Sequence, residues 1–246
     1  MKKEKNYIII SFVLISFLSC GKNLRYTTSL ITDYYNASDI RICDVPFDEW
    51  HRMEILYVFD SNQNINSWNS SEKKNQFEAL CREYQDTCYN REIDWEYMSV
   101  GAAVQRTARI DVASDRDFDV AHPAGSSLND LVMFYGATPY PCIASGYKEF
   151  FNRFDTLPHP TDNPVYNCSK NYYVHSPNEP KPFFPVYKRL SNMTEEDFLL
   201  TRGNGSGTAG VLFFTSKPEE EQTHTLTVTL TTTEGEQFSD EVVYTF

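Results

Sequence analysis

Apolar and polar residues alternate most regularly in the last quarter of the chain. Threonines separate Leu226, Val228 and Leu230, and Val242, Tyr244 and Phe246 share one face of the segment that follows. A period of two sends one set of side chains to a core and the other to water, so Thr225–Thr233 and Phe238–Phe246 are predicted strands, with a third at Ala209–Thr215. Glu234-Gly235 supplies a tight hairpin turn between the first two. The same period picks out Asp39–Val45, Gln105–Ser114, and Arg52–Asp60 with Met53, Ile55, Tyr57 and Phe59 on one side.

One stretch keeps a different period. Phe77, Leu80, Cys81 and Tyr84 stand at i, i+3, i+4 and i+7, which predicts an amphipathic helix over Ser71–Gln85. Ser127 followed three residues later by Asp130 is a capping-box pattern and predicts one or two helical turns through Phe134. Leu157–Pro185 holds seven of the chain's twelve prolines, which excludes a regular helix or a central strand there. Strands, turns and one inserted helix predict a mainly β domain over residues 33–246. The architecture expected is an antiparallel, immunoglobulin-like sandwich with a helical insertion, with α+β as the alternative. A closed outer-membrane barrel needs more ten-residue alternating segments than the chain supplies.

The beginning of the chain obeys neither period. Lys2, Lys3 and Lys5 precede an uncharged run, Tyr7–Leu18, of 12 residues. As a helix it spans about 18 Å against a hydrocarbon core of about 30 Å, so it reads as the apolar region of a signal peptide, residues 1–19. Phe17-Leu18-Ser19-Cys20 resembles the lipobox of bacterial lipoproteins, in which the cysteine is acylated and becomes the new N-terminus. Phe17 stands where leucine is usual and Leu18 where a small residue is usual, a looser box similar to that of Bacteroidetes-type lipoproteins. The resemblance implies palmitate on Cys20, an anchor in the bacterial outer membrane, and residues 20–32 as a polar tether. The alternative is ordinary cleavage near Ser19, leaving Cys20 a free thiol.

Charge narrows the partners. The chain carries a net charge of −12, and removal of a signal peptide with three lysines makes it more acidic still. Such a chain repels phosphate backbones and does not suit a polybasic membrane role, so nucleic acid is not an expected partner. Beyond Cys20 there are five cysteines, Cys43, Cys81, Cys88, Cys142 and Cys168. An exported protein meets oxidising conditions, and an odd count leaves a thiol unpaired. Cys81 and Cys88 are the near pair. On an unbroken helix they stand about 10 Å apart, too far for a bridge, and they can bond only where the helix ends near Asp86-Thr87. That bridge is the expected one; two core thiols on one face is the alternative.

A second resemblance lies between Arg109 and Phe134. Arg-Ile-Asp-Val-Ala-Ser-Asp-Arg-Asp-Phe-Asp, then His122-Pro123-Ala124-Gly125 and Leu128-Asn129-Asp130-Leu131, resembles a signature of an uncharacterised Bacteroidetes lipoprotein family. It covers about 26 residues strongly and implies export and a related fold, but no chemistry.

Candidate chemistry is sparse. Asp115, Asp117 and Asp119 have the opening spacing of a calcium loop, but Val120 and Ser126 stand where its glycine and glutamate belong. The competing reading is a turn whose carboxylates cap local N–H groups. No His-Glu-x-x-His and no Gly-x-Ser-x-Gly occurs, and Gly203-Asn204-Gly205-Ser206-Gly207 lacks the Lys-Ser/Thr of a phosphate loop. Tyr166, Tyr172, Tyr173, Phe183, Phe184 and Tyr187 could make an aromatic platform for a glycan or a protein, against the alternative of rings buried under a long loop. The expected role is a non-catalytic binding or structural module for an envelope protein or glycan, with no cofactor apart from a candidate Ca²⁺. An extracytoplasmic hydrolase is the alternative.

Overall fold

The computed structural model describes residues 24–47, 50–94, 100–151, 182–202, 207–220 and 222–246. The signal segment, Cys20, Tyr166, Cys168, Tyr172, Tyr173 and residues 203–206 lie outside them. In chain order the first half holds β1 (Leu24–Thr27), β2 (Asp33–Tyr35), β3 (Asp39–Phe47), β4 (Trp50–Val58), β5 (Ile65–Asn66), α1 (Ser71–Glu83), β6 (Arg91–Asp94), β7 (Gly101–Ala103) and β8 (Thr107–Ser114). The second half adds β9 (Val132–Thr138), α2 (Tyr140–Ala144), β10 (Phe184–Arg189), β11 (Thr208–Phe214), β12 (Thr223–Thr232) and β13 (Gln237–Thr245). Strand accounts for 45% and helix for 16%, so the protein is mainly β, and its antiparallel sheets make a sandwich and not a closed barrel.

One layer is a five-stranded antiparallel sheet in the order β10-β9-β11-β4-β3; the other is β13-β12-β8. Their inward faces are those the alternation predicts. Met53, Ile55 and Tyr57 of β4 and Leu226, Val228 and Leu230 of β12 share one core with Ile110, Val112, Phe134, Leu212 and Phe238. Gly210 of β11 is required by that packing. A Cβ there would lie 2.3 Å from Cε2 of Phe134, whose ring crosses the strand at this point. At the rim Asp240 Oδ2 accepts the Ile42 N–H at 2.7 Å and the Tyr244 hydroxyl donates to Asp44 at 2.9 Å, tying β13 to the outer strand β3. The hairpin β12–β13 turns at Gly235, whose φ of 85° suits glycine.

A smaller lobe sits beside the sandwich. It contains the sheet β5-β2-β7, the ribbon β1-β6, and α1, over a core of Leu30, Ile31, Tyr34, Phe77, Cys81, Tyr84, Tyr89 and Ile143. β2 and β7 pair in parallel; the other strand pairs are antiparallel.

Three expectations change. The segment Ser127–Phe134 is not helical: one turn closes by Leu131 N–H to Leu128 O, and β9 begins at Val132. The reason is tertiary. Asn129 turns its amide onto the β8 edge, accepting from Val112 N–H and donating to Ile110 O, both at 3.0 Å, which leaves Ser127 to cap Asn129 N–H alone. Residues 24–32 are not tether but fold, with Ile31 and Thr32 wholly buried, because two adjacent apolar residues after a polar stretch suffice to dock it. Finally, Cys81 and Cys88 are both free thiols, the first buried and the second exposed. The helix does end where a bridge requires. Gln85 takes a left-handed φ of 62°, and Asp86 N–H reaches back to Cys81 O at 2.7 Å, a Schellman ending. That reversal turns Asp86, not Cys88, toward Cys81.

Candidate functional site

α1 presents two faces. Phe77 and Cys81 enter the small core, while Glu72, Lys73, Gln76, Ala79 and Leu80 form one wall of an open groove of about 830 Å³. The opposite wall comes from Asn36, Gln63, Ile65 and Val104, with Ser70 at the helix start. Ile65, Leu80 and Val104 make an apolar floor that continues into the small core. The rim is mostly uncharged donors and acceptors. Gln105 braces one side, donating to Asn36 Oδ1 at 2.6 Å and accepting the Ala37 N–H at 2.9 Å. Lys73 donates to Asn62 O at 2.8 Å across the other. Side-chain amides around an apolar strip can hold a polar, extended chain by hydrogen bonds while the strip takes its apolar surface. No sequence signal marked this groove, because a polar helix face reads as solvated until a second wall stands opposite it.

The expected calcium residues do not converge. Asp115 accepts the Thr225 N–H at 2.7 Å, and Asp117 accepts the Ala124 N–H at 2.7 Å. Asp119 accepts from Ala121 N–H, His122 N–H and His122 Nδ1 at 2.7–2.9 Å. Each carboxylate caps local or neighbouring backbone. Among the described residues no three His, Cys, Asp or Glu side chains are grouped to hold a metal ion. Within the 109–134 segment, Phe118, 1% exposed, stacks on Phe214 at 5.2 Å between ring centres, and His122 spans Asp119 and Asp130. The hydrogen bond that His122 donates to Asp119 raises the His122 pKa, and the same contact lowers that of Asp119.

The aromatic platform is not built by its described members. Phe183 packs on the small core with the Arg202 guanidinium 5.5 Å from its ring centre. Phe184 meets Phe151 at 6.0 Å, and Tyr187 stacks on Phe213 at 5.9 Å. All three are half-buried, and β10 is an edge strand, where Pro185 costs no central ladder bond.

Among the buried polar groups of the described residues are one histidine and one carboxylate. His224, fully buried, places Nδ1 2.8 Å from the Ser114 hydroxyl, a pairing that nucleophilic hydrolases use. Here Ser114 is only 4% exposed and also accepts the Arg116 N–H, and the imidazole sits among Phe118 and Phe246, so no substrate reaches the hydroxyl. Burial lowers the His224 pKa and keeps it neutral. In the small core, Asp86 is wholly buried; its carboxylate accepts Leu30 N–H at 2.7 Å, Ile31 N–H at 2.8 Å and the Tyr147 hydroxyl. Burial raises its pKa, and the three hydrogen bonds pull the other way.

Among the described residues no helix is long and apolar enough to cross a membrane. No protein-family model matches the sequence, and no curated protein or solved structure matches the chain.

Proposed function

We propose that this protein is an exported, lipid-anchored binding module of the bacterial cell envelope, which takes an extended protein or glycan segment in the groove beside α1. The groove carries this reading: it is open, about 830 Å³ in volume, and lined by the side-chain amides of Asn36, Gln63 and Gln76, with Glu72 and Lys73 beside them, over an apolar floor. That size and lining suit recognition of a chain by its backbone or hydroxyl groups. The charged run and apolar stretch before Cys20 support export, and the lipobox-like Phe17–Cys20 supports the anchor. A single acyl chain holds a protein only reversibly, whereas several hold it stably.

Two measurements test it. A photo-reactive phenylalanine analogue replacing Gln76 is expected to yield a discrete crosslinked product in intact cells, and the same analogue replacing Thr227, on the outer face of β12, none. Equal products from both positions, or none from either, would remove the groove from the account. For the anchor, metabolic palmitate should label the protein and the label should vanish in Cys20→Ser; label retained in that variant defeats it.

A further inference from the structure

The first described strand begins closer to Cys20 than a tether running to Thr32 would place it. Only residues 21–23 separate Cys20 from β1, and four residue steps reach about 14 Å at most. A tether running to Thr32 would have let the domain stand about 40 Å away. If Cys20 carries lipid, whatever surrounds Leu24 lies against the headgroup layer.

What surrounds it suits that layer. Among the described residues, the exposed large aromatic side chains are Tyr26, 64% exposed, and Trp68, 43% exposed, and both lie here. Tyr26 is in β1, and its hydroxyl donates to Asn90 Oδ1 at 3.1 Å. Arg25, its neighbour on the other face of the ribbon, holds its guanidinium 5.7 Å from the Trp68 ring centre. Arg91, paired with Thr27 across the ribbon, lies over Tyr89 and Phe150 at 5.3 and 5.1 Å. Rings with one polar edge partition to the membrane–water interface, and arginine stems lie along apolar surface while the charge stays wet. The other exposed large apolar residues among those described, Val58, Val120 and Val243, are aliphatic. A net charge of −12 opposes approach to an anionic surface, and Glu92 stands opposite Tyr26, so ring insertion must carry the contact.

We infer that the β1 side of the β1–β6 ribbon, flanked by Tyr26 on one face and by the Trp68 loop on the other, forms a membrane-contact surface that rests edge-on in the zwitterionic phospholipid headgroup layer around the anchor. The inference rests on the lipid-anchor reading of Cys20. It makes the domain a body seated on the bilayer, with Tyr26 and Trp68 as its two feet.

The test uses the full protein extracted from membranes and reconstituted into phosphatidylethanolamine–phosphatidylcholine vesicles that carry acyl chains brominated near the headgroup. Trp50→Phe with Trp95→Phe leaves Trp68 as sole emitter. Emission is expected to fall about twofold relative to unbrominated vesicles and to resist aqueous iodide, because the ring sits at the interface. If that variant does not fold, the quenchers are applied to the unaltered protein, and loss of the bromine-quenched fraction in Trp68→Ser identifies the ring. Palmitate label on Cys20 with emission that ignores bromine and yields to iodide overturns the contact face and leaves the anchor standing. Absence of lipid on Cys20 overturns both.

Discussion

The sandwich and the small lobe are folded by different chemistry. Between the sheets the core is mostly hydrocarbon, with tyrosines such as Tyr57 and Tyr244 among it: Ile55, Val112, Leu226 and Val228 are fully buried on alternating strands, and Leu212 on β11, which is buried on both faces. The lobe buries Tyr34, Tyr84, Tyr89 and Cys81, and its centre is a carboxylate. Asp86 joins three segments that alternation does not relate: the stretch through Leu30 and Ile31, the end of α1, and Tyr147 just after α2. Apolar cores tolerate local change in proportion to volume, whereas a buried polar hub either keeps all its partners or strands them. The same hub raises its neighbours. Burial and the Asp86 charge push the Cys81 thiol up to about 12, and burial pushes the Cys142 thiol up to about 11.

The largest expected effect lies in the sandwich. Phe134→Ala removes a fully buried ring that also fills the space over Gly210, and it should cost about 3–5 kcal/mol in urea unfolding. Asp86→Ala comes next. It leaves two buried amides and a tyrosine hydroxyl without an acceptor, at about 1 kcal/mol each, the low end for an unmet buried group because the vacated space, ringed by three donors, can take a water. Hydrogen exchange should then show Leu30 and Ile31 losing protection while Val228 keeps it. Simultaneous loss at all three would mean the two cores are one cooperative unit, and the contrast drawn between them would fail.

Asp86→Asn sharpens the same point through pH. Burial holds the folded carboxyl above its ordinary value of 3.8, so its contribution to stability is complete below that value and is lost as pH rises through the raised one. The wild-type lobe should weaken over that interval, and Asp86→Asn should flatten the slope. His122→Gln, in the sandwich loop, should cost no more than about 1 kcal/mol, as for other accessible ion pairs. Its contribution is full below the ordinary imidazole value of 6.5 and fades as pH rises through the raised one. With Asp115, Asp117 and Asp119 already bonded to backbone, calcium or a chelator should leave the thermal midpoint where it was. Smallest in energy is a labelling difference: a thiol reagent should modify exposed Cys88 in the folded protein, and buried Cys81 and Cys142 only after denaturation.

Most of the sandwich was legible in advance. The strands expected at 39–45, 52–60, 209–215, 225–233 and 238–246 appear within a few residues of those limits, and so does the helix at 71–85. Short strands such as β2, β5 and β7 carry too few residues to show a period, and β9 was hidden behind a capping-box pattern that Asn129 diverts. The candidate site was less legible still. Asp115, Asp117 and Asp119 looked like ligands because three spaced carboxylates do, yet their partners include Thr225, 110 residues away. The groove residues gave no signal at all.

By itself, the sequence determined where most of the sandwich strands run, β9 and β10 excepted, and which of their faces meet, because alternation is written in neighbours two apart. It also determined the acidic balance and the signal-like start. Only the tertiary structure decided that Asp86 is a hub, that Cys81 and Cys88 stay apart, that residues 24–32 belong to the fold, and that one polar face of α1 lines a groove. The reason is distance along the chain: Asp86 meets partners 55, 56 and 61 residues away, and no local pattern encodes a contact that exists only once both ends have been folded into place.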